Sequence, residues 1–206
     1  MSGIVAQNVG RHTGLVKAAG GGGAWNLIKT LTSDGSDSDF QFIHGTSDVT
    51  FDTTYDLYVF IWNNLHPETD EANLFVNFSI DSGSNYNVNK VTTHWGSYHY
   101  SSGNETQARA YGASRDTNGT GDVYMSDNGV GSGNEESNSG YMYVYAPGDT
   151  TFKKRFFSKS NSHPGWGNET WFNSGFLETA SAVDGVIFQF QSNEIQGGSI
   201  SLYGIT

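Results

Sequence analysis

Residues 49–80 contain two strongly β-type runs, and these runs constrain the fold more than any other part of the sequence. On an extended strand, one face of the first run would carry Tyr55, Leu57, Val59 and Ile61, and the other Tyr58, Phe60 and Trp62. Because both faces are apolar, we expect a strand inside a sheet, covered by a second sheet on one side and by a loop or a neighbouring subunit on the other.

The second run begins after a turn-rich segment, residues 63–73, where the chain is expected to reverse direction. Its apolar face would carry Leu74, Val76, Phe78 and Ile80, and its opposite face Phe75, Asn77 and Ser79. This alternation predicts a strand with one buried and one solvated face. The two runs together predict a hairpin in the core.

Further β-type runs follow one another without any helical periodicity between them. We predict strands at residues 25–31, 40–43, 88–100, 141–145 and 151–158, with a closing hairpin formed by residues 183–191 and 198–205. Residues 101–140 and 159–175 are rich in Gly, Asn and Ser and are predicted to be long surface loops. The chain therefore predicts an all-β protein, an antiparallel β-sandwich of jelly-roll type, in residues 24–206.

Residues 1–23 are predicted to be an N-terminal arm rather than part of the sandwich. They contain few bulky apolar residues and end in Gly20-Gly21-Gly22-Gly23, which would act as a hinge. Ile4, Val5, Leu15 and Val16 are the candidates for docking on a partner protein. We expect no secretory signal, because no basic segment followed by an apolar one opens the sequence.

The formal net charge of −11 argues against nucleic acid or an anionic membrane as the main partner, because both require clustered cations. Lys153, Lys154, Arg155 and Lys159 form the one cationic cluster. A solvated edge strand protected by charge is favoured for this segment, and an anion-binding patch is the alternative.

No motif predicts a cofactor, a metal site or a catalytic centre. The chain has no cysteine, and its histidines are scattered, with His94 and His99 expected on opposite faces of a strand. Calcium binding near Asp34, Asp37 and Asp39 stays open beside a plain solvated turn. A pair of carboxylates for glycoside hydrolysis is possible among 21 acidic residues, but nothing selects one.

Aromatic residues in the polar regions are the remaining candidates for a binding site. Trp95, Trp166 and Trp171, with Tyr98 and Tyr100, could stack on a glycan. The alternative is that these rings seal the ends of the sandwich.

Five segments carry a resemblance to a known family. They are Thr53-Thr54-Tyr55-Asp56-Leu57-Tyr58, Asn63-Asn64-Leu65-His66-Pro67-Glu68-Thr69-Asp70, Asn134-Glu135-Glu136-Ser137 with Gly140-Tyr141, Asp184-Gly185-Val186, and Gly198-Ser199-Ile200-Ser201-Leu202-Tyr203-Gly204-Ile205. Together they resemble small virion structural proteins of tailed bacteriophages, many from phages of cyanobacteria and other aquatic bacteria. The openings Gly3-Ile4-Val5-Ala6-Gln7-Asn8 and Gly14-Leu15-Val16-Lys17 resemble the attachment arm of that group. The resemblance implies a β-sandwich exposed on the particle, and it carries over no catalytic residues.

The combined hypothesis is a non-enzymatic virion protein, a capsid decoration held on phage capsid or tail proteins by its arm. A homotrimer or similar closed oligomer would bury the second apolar face, through Tyr58, Phe60, Trp62, Tyr141, Tyr143 and Tyr145. The alternatives are a tail fibre or tail-associated component, a module that binds host surface glycans, and a depolymerase with a carboxylate pair in a cleft.

Overall fold

Segments whose side chains alternate in direction form thirteen strands in the described part of the chain. The computed structural model describes residues 25–102, 108–192 and 194–206. The strands in these ranges are β1 (Asn26–Thr32), β2 (Asp39–Ile43), β3 (Leu57–Pro67), β4 (Leu74–Ser79), β5 (Lys90–Tyr100), β6 (Ala108–Tyr111), β7 (Asn118–Gly119), β8 (Val123–Tyr124), β9 (Asn138–Tyr145), β10 (Arg155–Ser162), β11 (Gly167–Leu177), β12 (Gly185–Phe190) and β13 (Ile195–Ile205). A 3₁₀ turn spans Ala113–Arg115. The predicted arm, with Ile4, Val5, Leu15, Val16 and the glycine hinge, lies outside the described residues.

The strands form two antiparallel sheets. The large sheet has nine strands in the order β1-β13-β3-β9-β10-β11-β5-β6, and β7 also pairs with β5. The small sheet has four strands in the order β2-β12-β4-β8. The apolar core lies between the two sheets, so the predicted all-β, antiparallel sandwich is confirmed.

The centre of the core is aromatic and joins β3 to the small sheet. The ring of Phe188 on β12 lies 5.3 Å from that of Phe60 and 5.8 Å from that of Trp62, and Phe42 on β2 lies 5.2 Å from Phe60. Tyr58, Phe60 and Trp62 are 0–1% exposed. Their assignment to an oligomer interface is therefore wrong, because this face of β3 points into the sandwich.

The two runs of residues 49–80 do not form a hairpin. β3 belongs to the large sheet and β4 to the small one, so the turn-rich segment between them crosses from one sheet to the other. All six residues of β4 are buried, and its predicted solvated face is wrong. The outer side of β4 is covered because Phe75 contacts the ring of Tyr124 at 4.7 Å and Asn77 Nδ2 donates to Asp122 Oδ1 at 2.8 Å.

The predicted closing hairpin is also divided between the sheets, with β12 in the small sheet and β13 in the large one. Both strands contribute apolar side chains to the same core, with Phe188 on β12 and Ile200 and Leu202 on β13 fully buried. The predicted contribution of the two runs to one core is thus confirmed, but not their pairing.

The cationic segment is not an edge strand. β10 lies between β9 and β11 in the interior of the large sheet. Lys154, just before it, is buried, and its Nζ donates to the carbonyl oxygens of Phe152 and Ala180 at 2.7 and 3.1 Å. The predicted loop at residues 159–175 is also wrong, because β10 and β11 occupy most of it.

Candidate functional site: an aromatic cleft and an aromatic sheet face

A cleft of about 860 Å³ opens at the end of β5, where four connecting segments converge on the large sheet. Its volume falls within the range of small-molecule binding sites. Part of its lining is aromatic, formed by Tyr98, Tyr100 and Trp166. The rest is polar, formed by Glu71, Asn73, Arg115, Asp127 and Asn128.

The three aromatic rings hold one another in place. The Trp166 ring lies 4.6 Å from that of Tyr100 and 5.8 Å from that of Tyr98, edge to face with the latter. The carbonyl oxygen of Trp166 accepts hydrogen bonds from the backbone N–H and the hydroxyl of Ser101, at 2.9 and 3.0 Å. The loop that carries Trp166 is therefore tied to the end of β5, and its ring is positioned before any ligand binds.

Arg115 and Asp127 form the charged part of the lining. Arg115 Nε donates to Asp127 Oδ1 at 2.5 Å, and its Nη2 donates to the Asp127 carbonyl oxygen at 2.8 Å. The guanidinium also lies over the ring of Tyr124, 4.5 Å from its centroid. These contacts connect the 3₁₀ turn to the segment after β8 and engage the guanidinium within the protein.

A buried layer beneath the cleft orients Asn128. The amide of Asn128 donates to the carboxylate of Glu169, which also accepts from Trp171 Nε1 at 2.9 Å and from Ser162 Oγ at 3.3 Å. Glu169 is fully buried, and this burial raises the pKa of its carboxyl group. Its hydrogen-bond donors partly offset that effect, so Glu169 acts as a fixed acceptor beneath Asn128.

The turn that supplies Glu71 and Asn73 is held in a restricted conformation. Glu71 has φ of 57°, in the left-handed region that residues with a Cβ rarely adopt. A Cβ on Gly129 would lie 2.3 Å from the carbonyl oxygen of Glu71, so only glycine allows this approach. Asn73 Oδ1 accepts the Gly129 N–H at 3.0 Å and completes the contact.

The three predicted glycan-contact tryptophans lie in three different environments. Trp166 lines the cleft. Trp171 is fully buried and stacks on His94, with 4.6 Å between ring centroids, so its assignment as a glycan contact is wrong. Trp95 is 51% exposed and stacks on Phe172 at 4.5 Å, on the outer side of the large sheet and outside the cleft lining.

The polar half of the cleft was not predicted from the sequence. Glu71, Arg115 and Asp127 come from three segments far apart in the chain, and no spacing relates them. The sequence signal that could have pointed to this site is Glu169, because it lies among aromatic residues in a segment whose composition is otherwise polar.

The outer side of the large sheet carries a second cluster of rings, which we call the aromatic face. It consists of Leu57, Val59 and Ile61 on β3, Tyr141, Tyr143 and Tyr145 on β9, Phe157 on β10 and Tyr203 on β13. In the strand register, Val59 is opposite Tyr143 on one side and Tyr203 on the other. The predicted interface tyrosines of β9 therefore lie on the same side of the sheet as Leu57, Val59 and Ile61 of β3. The predicted interface includes the other side of β3 instead, with Tyr58, Phe60 and Trp62.

The aromatic face is partly open to solvent and has cations beside it. Tyr145 is 46% exposed, whereas Val59 is buried beneath its neighbours. On β10, Arg155 is opposite Tyr145 and Lys159 is opposite Tyr141 in the strand register, and the two cations also lie over the rings of Phe176 and Phe172 on β11, at 5.1 and 5.4 Å. The rings of Tyr141, Tyr143 and Phe157 contact one another, so the face is a continuous aromatic surface with cations along one side.

In the acidic turn that was predicted as a possible calcium site, carboxylate oxygens accept hydrogen bonds from other groups of the same turn. Asp34 Oδ1 accepts from the backbone N–H and the hydroxyl of Ser36, which lower the pKa of Asp34, and Asp37 Oδ2 accepts the Asp34 N–H at 3.0 Å. Among the described residues, no group of three or more His, Cys, Asp or Glu side chains is arranged to hold a metal ion.

Comparison of the chain with protein-family models, with curated proteins and with solved structures finds no match. In the described part of the chain, no helix has the length and apolar character needed to cross a membrane.

Proposed function

We propose that this chain is a non-enzymatic structural protein of a tailed-phage particle, displayed on the particle surface and attached through residues 1–23. A capsid decoration protein is the favoured role, and a tail fibre or tail-associated component is the alternative. The basis for this assignment is the resemblance of the sequence to small phage virion proteins.

The single structural observation that supports an assembly role best is the aromatic face. Several of the segments that resemble phage virion proteins lie in three neighbouring strands, β13, β3 and β9. The outer sides of these strands form most of the aromatic face. A continuous, partly exposed group of tyrosines on one side of a sheet is the kind of surface that a protein partner covers.

A second copy of the chain is the partner that we propose for this face. The chain carries a net charge of −11, yet Arg155 and Lys159 on β10 lie opposite Tyr145 and Tyr141 of the aromatic face in the strand register. A cationic rim on an otherwise acidic molecule favours contact with the acidic surface of another copy. A homotrimer or similar closed oligomer would increase attachment through several arms at once.

The location is tested by quantitative mass spectrometry of purified particles. We expect the protein in the particles, with a copy number comparable to that of the major capsid protein. A copy number far below that of the capsid protein would favour the tail role, and absence from purified particles would refute the virion assignment.

Oligomerisation is tested by light scattering on wild type and on Tyr145→Glu, which places a negative charge on the exposed part of the aromatic face. We expect an oligomer for wild type and a shift to monomer for the variant. Ile80→Glu is the matched control, because Ile80 is similarly exposed, at 40%, but follows β4 of the small sheet. A wild type that stays monomeric at micromolar concentration would contradict the proposed interface.

A further inference from the structure

We propose that the cleft at the end of β5 binds an uncharged oligosaccharide. The protein would then carry a ligand site separate from any surface used for assembly. Copy number in the particle does not depend on this site, so the two proposals can fail independently.

The aromatic lining suits the flat side of a sugar ring. A pyranose presents C–H groups on its faces and hydroxyl groups around its rim. An aromatic ring packs against such an apolar face, and Tyr and Trp supply this contact with little loss of conformational freedom. Trp166 is half-buried and held by Tyr98 and Tyr100, so stacking on it requires no reorganisation of the loop.

The polar lining suits the hydroxyl rim. Asn128 is exposed at the cleft while its amide is fixed by Glu169, and Asp127 is fixed by Arg115. Carboxylate and amide oxygens accept hydrogen bonds from hydroxyl groups, and amide N–H groups donate to them. Oriented acceptors beside a fixed indole ring are the combination that recognises a polyol with one apolar face.

The charges of the cleft oppose acidic ligands. Glu71 and Asp127 are both in the lining, and Arg115 is the only cation among the lining residues that the structure describes. Arg115 is already engaged by two hydrogen bonds to Asp127 and by the Tyr124 ring, and the chain as a whole is strongly acidic. A sulfated, phosphorylated or uronic acid ligand would meet net negative charge, so the proposal is restricted to uncharged saccharides.

The test begins with an array of defined glycans, both neutral and acidic, probed with the wild-type protein. The neutral ligand that binds best is then titrated by calorimetry into wild type, Trp166→Ala and Trp95→Ala. We expect neutral glycans to be bound, and Trp166→Ala to weaken the affinity roughly tenfold, since it removes the central stacking ring. Trp95→Ala is the matched control, because it removes an exposed tryptophan outside the cleft and should leave affinity within about twofold.

Thermal unfolding of each variant shows whether the fold is retained. If Trp166→Ala does not fold, Tyr100→Ala provides the same test from a ring that is 38% exposed. The proposal is overturned if no neutral glycan binds at millimolar concentration, if only acidic glycans bind, or if the Trp95 variant loses binding while the folded cleft variants keep it.

Discussion

Replacement of Lys90 by methionine gives a direct measurement of how the segment that leads into the cleft is anchored. Lys90 is fully buried at the start of β5, and its Nζ donates to the carbonyl oxygens of Thr120 and Gly121 at 3.2 and 2.7 Å. Burial lowers the pKa of Lys90 to about 8, and the nearby carboxylate of Asp122 opposes this shift. The ammonium therefore fixes residues 120–121 while it is held in an environment that disfavours its charge.

The pH dependence of this anchor has a definite sign. An unfolded lysine titrates near pH 10.4, roughly two units above the folded pKa, so between these pH values the unfolded state binds a proton that the folded state lacks. The free energy of unfolding of wild type must then rise with pH across this window, by up to about 3 kcal/mol. Lys90→Met has no such contribution, so the stability of wild type relative to the variant is lowest below pH 8 and increases towards pH 10.5.

Urea unfolding followed by tryptophan fluorescence from pH 7 to 10.5 measures this difference. Tyrosine ionisation is common to both proteins and therefore cancels in the comparison. This applies also to Tyr58 and Tyr86, because burial raises the pKa of each to about 12. Lys153→Met serves as the control for removal of a lysine charge, because the Lys153 side chain is about half exposed. A Lys90→Met difference that stays constant over the whole range would refute the argument.

Two further predictions concern the buried layer beneath the cleft. In Gly96→Ala the new Cβ would lie 2.2 Å from the Thr170 carbonyl oxygen and 2.5 Å from the Trp171 ring. We therefore expect the free energy of unfolding to fall by roughly 2–3 kcal/mol and the melting temperature to decrease. Gly121→Ala is the control and should be tolerated, because the nearest neighbour of its Cβ would lie 3.7 Å away. Equal melting temperatures for the two variants would contradict this account. Because burial raises the pKa of Glu169, the folded state keeps its proton to higher pH, and the stability of wild type relative to Glu169→Gln should fall as pH rises above the ordinary carboxyl range. Unfolding measured between pH 4 and 7 tests this sign, and a difference that rises with pH would contradict it.

The positions of β3 and β4 could be predicted from their β-type residues, but the orientation of β3 could not. Tyr58, Phe60 and Trp62 alternate with Leu57, Val59 and Ile61, and both sets are apolar. Alternation fixes that the two sets point in opposite directions, but only packing decides which set faces the small sheet. The pairing partners of β3 and β4 were unpredictable for a similar reason, because turn residues between two runs do not distinguish a hairpin from a crossing between sheets.

β11 was missed because its inward side is unusually polar. Glu169, Trp171 and Asn173 alternate along this side and are all buried. Trp171 Nε1 donates to the Glu169 carboxylate and Asn173 Nδ2 donates to Ser158 Oγ, so these polar groups are satisfied within the protein. Prediction from hydrophobic periodicity treats carboxylate and amide side chains as solvent-exposed. A strand that buries such groups is therefore predicted to be a loop. The cleft was hidden by the same effect, because the strand that supports Asn128 was not recognised as a strand.

The two proposed surfaces belong to different parts of one sheet, and this separation makes them independently testable. The aromatic face is centred on β3 and β9, while the cleft lies at the end of β5. Four strand spacings separate β3 from β5, a distance of about 19 Å at roughly 4.8 Å per strand. Effects of substitutions this far apart usually add. Tyr145→Glu should therefore change the oligomeric state and leave the intrinsic affinity per site unchanged, and Trp166→Ala should do the reverse. If Tyr145→Glu also weakened binding of a monovalent glycan, the cleft would have to be completed by a second subunit, and the oligomer itself would be part of the binding site.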